Sequence, residues 1–262
     1  MLLICDKCPL SPVRPADSLQ PVGVPLIDRD SIANDSALPE LRDRLRELQL
    51  AQIAHNRRAI ILFEGPQGSG KKAALSELAA AFDPCHFAVN RSSFDRREAA
   101  HGHWLARFWG ELPGAGDTAI FFRSWYRHVL DDRLLGRISE EGVPRAYDEI
   151  NEFEAQQRDY GTLIVKLYFD VSVEVQQQRL DKRAADPWRQ LRRKEPVMVG
   201  DPVYAKAFAD LKANSDTRWS PWKIIDANDE RQATMSALGA IAEAWAKAMP
   251  VEPPHLVESR VA

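Results

Sequence analysis

The chain has 262 residues, 45% of them hydrophobic, with a formal net charge of −3, 17 prolines and 3 cysteines. That length suits one large α/β domain with a real core, and so small a net charge argues against a chain drawn as a whole to nucleic acid. No run of 18 apolar residues offers a membrane span, no positively charged start with a long apolar core offers a secretory signal, and the few cysteines suit a reducing, cytoplasmic compartment.

Residues 1–34 carry Pro9, Pro12, Pro15, Pro21 and Pro25 and read as a proline-rich tail or an irregular wrap. Cys5-x-x-Cys8 has no second pair and is not taken as a metal site. The domain is expected over 35–250, followed by a tail at 251–262. Asp35 or Ser36 caps a first helix whose Leu41, Leu45, Leu48 and Ile53 make an apolar stripe down to about His55. Residues 59–63 predict the first strand, and 71–82 a helix ended by Asp83-Pro84. A short strand at 85–89 precedes a helix that starts at Ser93 or Asp95 and runs through Trp104, Leu105, Phe108 and Trp109. Residues 118–122 make a third strand and 124–135 a helix. Pro144 sits in the first turn of the next helix, which Gly161 stops. A strong strand at 163–169 leads into a helix from Ser172 to about Arg183. Residues 184–202 are charged and interrupted by proline. A helix at 203–213, a strand at 222–226 and a helix at 231–249 complete the domain. Short apolar strands alternating with helices predict an α/β fold, a mostly parallel sheet between helical layers.

Between the first strand and its helix stands Gly65-Pro66-Gln67-Gly68-Ser69-Gly70-Lys71-Lys72. It fits the phosphate-binding P-loop pattern except at its end, where Lys72 replaces a Ser or Thr hydroxyl. Gly65, Gly68 and Gly70 permit backbone angles that aim successive N–H groups inward. The helix start adds partial positive charge, and Lys71 supplies an ammonium for outer phosphates. Ser69 either donates to an anion or eases the turn. The bland alternative is a glycine-rich turn with Lys71 on the surface.

Phosphoryl transfer between polyanions needs Mg²⁺ held by a hydroxyl or a carboxylate. The loop offers Gln67 and Lys72 instead, and Phe121-Phe122-Arg123-Ser124-Trp125-Tyr126-Arg127 brings no acid before Asp131. No metal ligand is therefore assigned. Glu64 is either a substitute ligand or a structural acid paired with an arginine. Arg123 and Arg127 fall at the carboxyl edge of the sheet, where such folds bind ligands, although Arg123 could equally pair with Asp131 or Asp132. Trp125 and Tyr126 are expected to pack. Arg179, Lys182, Arg183, Arg189, Arg192, Arg193 and Lys194 form a basic segment that would attract a polyanion, or else a solvated loop. Asp131-Asp132, Glu140-Glu141 and Asp148-Glu149 read as solvated surface. His101 and His103 are not taken as ligands, and Glu152, sharing a helix face with Gln156, is given no catalytic role.

Ile61-Leu62-Phe63-Glu64-Gly65, the Phe121–Arg127 run, Asn151-Glu152-Phe153-Glu154, Asp186-Pro187 and Ser220-Pro221-Trp222 occur in that order. Together, over about residues 38–248, they resemble the family-2 polyphosphate kinases, which transfer phosphate between inorganic polyphosphate and nucleotides. The resemblance implies a P-loop, nucleoside-monophosphate-kinase-like three-layer sandwich, Mg²⁺ held by two aspartates, and a basic lid, here 184–202. The counterparts of the two aspartates are Gln67 and Phe122. It places Lys71 and Arg123 in catalysis. Gly65, Gly68, Ser69, Gly70, Lys71, Lys72, Arg127, Arg183, Arg189, Arg192 and Arg193 would bind phosphates. Two-domain members carry an N-terminal copy with an acid-less Phe-Phe-x-x-Trp-Tyr segment, and this chain looks most like that copy. Two functions follow. One is a polyphosphate:nucleotide phosphotransferase weakened by loss of its metal acids. The other is an inactive polyphosphate- or nucleotide-binding domain, a homo-oligomer or the partner of a related domain. Neither calls for nucleic acid or membrane.

Overall fold

In the computed structural model, which describes residues 37–91, 102–186, 199–200 and 202–250, five strands form one sheet. They are β1 (Arg58–Glu64), β2 (Phe87–Asn90), β3 (Thr118–Phe122), β4 (Thr162–Asp170) and β5 (Trp222–Asp226), in the order β2-β3-β1-β4-β5. Every pairing is parallel, with β1 central between β3 and β4. The helices are α1 (Ala37–Ala54), α2 (Lys71–Ala81), α3 (Ala106–Trp109), α4 (Asp131–Leu134), α5 (Val143–Asp159), α6 (Val173–Ala184), α7 (Pro202–Ser215) and α8 (Glu230–Ala248).

The sheet is apolar on both faces, as a parallel sheet between helices must be. Ala59, Ile61 and Phe63 of β1 pack with α1, α2 and α8, while Ile60 and Leu62 face the layer built from α3, α5 and α7. This is the three-layer α/β sandwich expected from the alternation of elements. Among the described residues no helix is long and apolar enough to cross a membrane.

Most predicted elements recur within a residue or two, but of the helix expected through Trp104, Leu105, Phe108 and Trp109 the described residues hold only the single turn α3, with Trp104 and Leu105 in a preceding turn. Leu41, Leu45 and Leu48 are buried on α1, but Ile53 is only half-buried, and Gln49 and Gln52 share the inner face. Gln52 is satisfied there: it donates to the Asp117 carbonyl at 2.9 Å and accepts from Trp245 Nε1 at 2.9 Å. The second strand starts later than expected because Pro84–His86 forms a 3₁₀ turn, capped by the Asp83 carboxylate on Cys85 N. The helix expected at 124–135 is broken into a 3₁₀ turn, Trp125–His128, and the single turn α4. Trp125, Tyr126, Arg127, Val129 and Leu130 are all buried. In a continuous α-helix these five residues would span an arc of about 200°, wider than the one face such a helix packs on its neighbours.

Several expectations lie outside the described residues: the 1–34 tail with Cys5 and Cys8, the cap at Asp35 or Ser36, the helix start at Ser93 or Asp95, His101, Asp186-Pro187 in its second half, and most of the lid with Arg189, Arg192, Arg193 and Lys194.

Candidate functional site

The loop leaves β1 at the carboxyl edge of the sheet. Gly65 has φ 128°, and a Cβ there would lie 2.5 Å from the Phe169 carbonyl oxygen of β4. Only glycine meets both conditions. Gly70, at φ 85°, turns the chain into α2 and provides no side-chain cap, so the first amides of that helix face the loop without a side-chain acceptor. Helix α6 braces the loop from outside. Gln176 Nε2 donates to the Gln67 carbonyl at 2.7 Å. Arg179 donates to the carbonyls of Gly68 (3.3 Å), Ala227 (2.7 Å) and Asn228 (3.0 Å). Arg179 is thus a strut between loop and β5, not a loose charge of a lid.

Lys71 is 4% exposed, which removes the reading of a surface lysine. Its Nζ donates to the carbonyls of Gly65 and, at 2.9 Å, Pro66, and to Ser69 Oγ at 3.2 Å. Ser69 is buried and holds the lysine in place. Burial pushes the Lys71 ammonium down to about 7, with Arg123 and Arg183 pushing the same way and Glu64 and Asp131 opposing. An incoming anion would supply the counter-charge this ammonium lacks. Lys72, on the first turn of α2, is exposed.

Glu64 ends β1, is 2% exposed, and reaches across to the chain leaving β3. Its Oε1 accepts from Ser124 N at 2.5 Å and from Ser124 Oγ at 2.7 Å. The expected arginine partner is therefore a serine. Burial raises the Glu64 carboxyl, against the pull of the two Ser124 hydrogen bonds and of Lys71. Arg123 adopts φ 68°, donates its N–H to the Phe63 carbonyl at 3.2 Å, and pairs through Nη1 with Asp131 Oδ2 at 2.7 Å. Arg127 is 2% exposed, its Nε 3.8 Å from Asp132 Oδ1, and so is turned into the protein. Arg183 is half-buried on the last turn of α6. The Phe122 ring centroid lies 5.9 Å from Lys71 Nζ. Among the described residues no group of three or more His, Cys, Asp or Glu side chains is arranged to hold a metal ion.

The acidic stretches are not merely solvated. Asp132 binds Arg137 at 2.9 Å, Glu149 binds Trp104 Nε1 at 2.8 Å, and the buried Arg133 joins Glu140 to Asp210 of α7. Glu152 is exposed and accepts from Gln156 on the same helix face.

The remaining motif residues converge beneath the site on a lysine that the sequence reading passed over. Lys166, in the middle of β4, is 0% exposed, as is Glu154. Lys166 Nζ donates to Glu154 Oε2 at 3.0 Å and to the Ser215 carbonyl at 2.7 Å, and lies 5.4 Å from the Trp222 ring centroid. Trp125 Nε1 donates to the other Glu154 oxygen at 3.0 Å, and Tyr126 packs edge-on against Trp222. Trp125 and Tyr126 are packing residues, as expected. A single lysine inside an otherwise apolar strand, Leu163-Ile164-Val165-Lys166-Leu167, was the available signal, since a buried ammonium demands a partner.

Residues 28–252 match the family profile Polyphosphate kinase 2 (PPK2). The chain is 34% identical over 192 residues to a polyphosphate:AMP phosphotransferase of Pseudomonas syringae pv. tomato, covering 72% of this chain and 39% of that protein. It is 31% identical over 205 residues to a polyphosphate:AMP phosphotransferase of Acinetobacter johnsonii, covering 77% of this chain and 43% of that protein. The chain thus spans about two-fifths of the length of these relatives. The crystal structure of Polyphosphate Kinase 2 from Arthrobacter aurescens TC1 superimposes with a TM-score of 0.76 at 24% identity, covering 92% of this chain and 89% of that one, a likeness of fold.

Proposed function

The chain belongs to the Polyphosphate kinase 2 family, and from that membership we propose that it grips the outer phosphates of inorganic polyphosphate at residues 65–71 and transfers phosphoryl groups to or from a nucleotide only weakly. Lys71 holds the phosphoryl group in flight and Arg123 offsets its charge. Arg183 and the basic residues after it hold the rest of the chain.

One observation carries the weakness. The Phe122 ring, 5.9 Å from Lys71 Nζ, occupies the strand end where the family resemblance calls for an acid. Mg²⁺ demands a near-octahedral set of oxygens. Here Glu64 is engaged by Ser124, Asp131 by Arg123, and the loop contributes Gln67 and Lys72. These donors do not fit the ion. What remains is positioning and fixed positive charge, and the contribution of a metal that bridges both phosphates is missing.

A second reading is a catalytically silent domain that binds polyphosphate and pairs with itself or with a related domain. The carboxylates nearest Lys71 favour it, since Glu64 is held by Ser124 and Asp131 by Arg123. A transfer assay with polyphosphate, a nucleoside mono- or diphosphate and Mg²⁺ separates the two. Slow transfer, abolished by Lys71→Ala, is expected. The double variant Gln67→Asp with Phe122→Asp should be faster by on the order of a hundredfold, since a restored metal site is worth several kcal/mol. No transfer by the native chain while polyphosphate still binds would favour the silent domain. Native turnover equal to that of the double variant would contradict the loss of metal acids.

A further inference from the structure

We propose that Glu64 is the positioning residue of this site, fixing the turn that carries Arg123 and setting its own charge near Lys71, where an anion is received. The inference rests on the polyphosphate reading above and deepens it.

The backbone of Glu64 has no freedom to drift. It pairs in register with Tyr168 of β4, and Gly65 beside it is pressed against the Phe169 carbonyl. From this fixed point the side chain crosses to the end of β3 and takes both the N–H and the O–H of Ser124. Ser124 is itself fully buried, so without Glu64 these two donors would have no acceptor and no water. Between the two strands sits Arg123 at φ 68°. A left-handed non-glycine residue costs about 1–2 kcal/mol and persists only where its surroundings over-determine it. Two hydrogen bonds do so, Arg123 N to the Phe63 carbonyl on one side and Ser124 N to Glu64 on the other. This turn aims the guanidinium at Asp131 and beside Lys71.

Glu64 also bears on the ammonium itself. Among the described residues the charges bearing most on Lys71 are Glu64 from β1, Arg123 from the turn after β3, Asp131 from α4 and Arg183 from α6, while Arg179 of α6 and Glu230 of α8 approach the loop at Gly70. Removing the negative charge of Glu64 leaves the buried ammonium facing two arginines and one adjacent aspartate. Lys71 would then lose its proton at lower pH. A phosphate chain binds the charged lysine better than the neutral one. Affinity therefore falls as pH rises through the Lys71 titration, and that fall should begin earlier without Glu64.

The test is calorimetric titration of tripolyphosphate into wild type, Glu64→Gln and Glu64→Ala between about pH 6 and pH 9. Glutamine keeps an acceptor for Ser124 and should leave the fold intact. It should move the decline in affinity about one pH unit lower, giving about tenfold weaker binding than wild type near pH 7.5. The ligand's own titration is common to all three proteins and cancels. Alanine should weaken binding at every pH, because the Arg123 turn loses its hold. Superimposable profiles for wild type and Glu64→Gln would overturn the proposal. If wild type binds no tripolyphosphate, the polyphosphate reading fails first. Glu64 is then judged without ligand, by NMR titration of the Lys71 side chain: a lower midpoint in Glu64→Gln sustains the coupling, and an unchanged one refutes it.

Discussion

Replacing Lys166 by methionine is expected to destabilise the domain by about 3–5 kcal/mol, the largest single effect anticipated for this chain. Both members of the Lys166–Glu154 pair are fully buried. Without the ammonium, Glu154 keeps Trp125 Nε1 as a donor but stands as an uncompensated charge in the core, and the Ser215 carbonyl is left with the Thr217 N–H alone. A buried ion pair is not itself strongly stabilising, because desolvation offsets most of the attraction. The cost appears when one partner is left alone. Removing both, as Lys166→Met with Glu154→Leu, should therefore recover a large part of the loss. Urea unfolding of the two single variants and the double would measure this as a coupling energy. Near-additive losses would show that the pair is not the unit argued here.

Lys71→Met should weaken tripolyphosphate binding by on the order of a hundredfold, the loss of one or two charge-assisted hydrogen bonds to phosphate. Stability should respond in the opposite sense or not at all. The ammonium is buried at a cost, and burial has pushed it down to about 7. A lysine that binds fewer protons folded than unfolded destabilises the fold below its unfolded pKa, and that penalty shrinks as pH rises from about 7 towards 10. Methionine removes the penalty and fills nearly the same space, although the Gly65 and Pro66 carbonyls lose a donor. Thermal unfolding monitored beside calorimetry distinguishes the cases. Lost binding with an unchanged midpoint supports a ligand role for Lys71, whereas retained binding would place the anion elsewhere.

Much of the fold was legible because its signals are local. Each strand of the sheet reads as an apolar run, and Pro144, Gly161 and Ser172 mark helix ends where the structure has them. The P-loop was equally plain, since strand, glycines, lysine and helix are contiguous. The break within 124–135 was not, because it follows from tertiary burial of residues that would suit a helix. The site beyond the loop was only partly visible. Arg123 could be placed at the sheet edge, but its left-handed turn depends on Glu64, a residue 59 positions earlier whose direction no local pattern reveals. Arg127 was expected to meet phosphate and is buried against Asp132, as its neighbours Trp125 and Tyr126 are buried. Lys166 lay in plain view within β4. A charged residue in a strand covered on both faces is a stronger indicator than the hydrophobic pattern around it, since its partner must be supplied from elsewhere in the chain.

Amides, Lys71 and arginines are proposed to hold a phosphate chain here without a divalent ion. Calorimetry of tripolyphosphate binding in EDTA, repeated with Mg²⁺, tests it most directly. Binding is expected in EDTA, with Mg²⁺ leaving affinity within about twofold or lowering it by complexing the free ligand. Binding that appears only with Mg²⁺, or strengthens about tenfold on its addition, would contradict it.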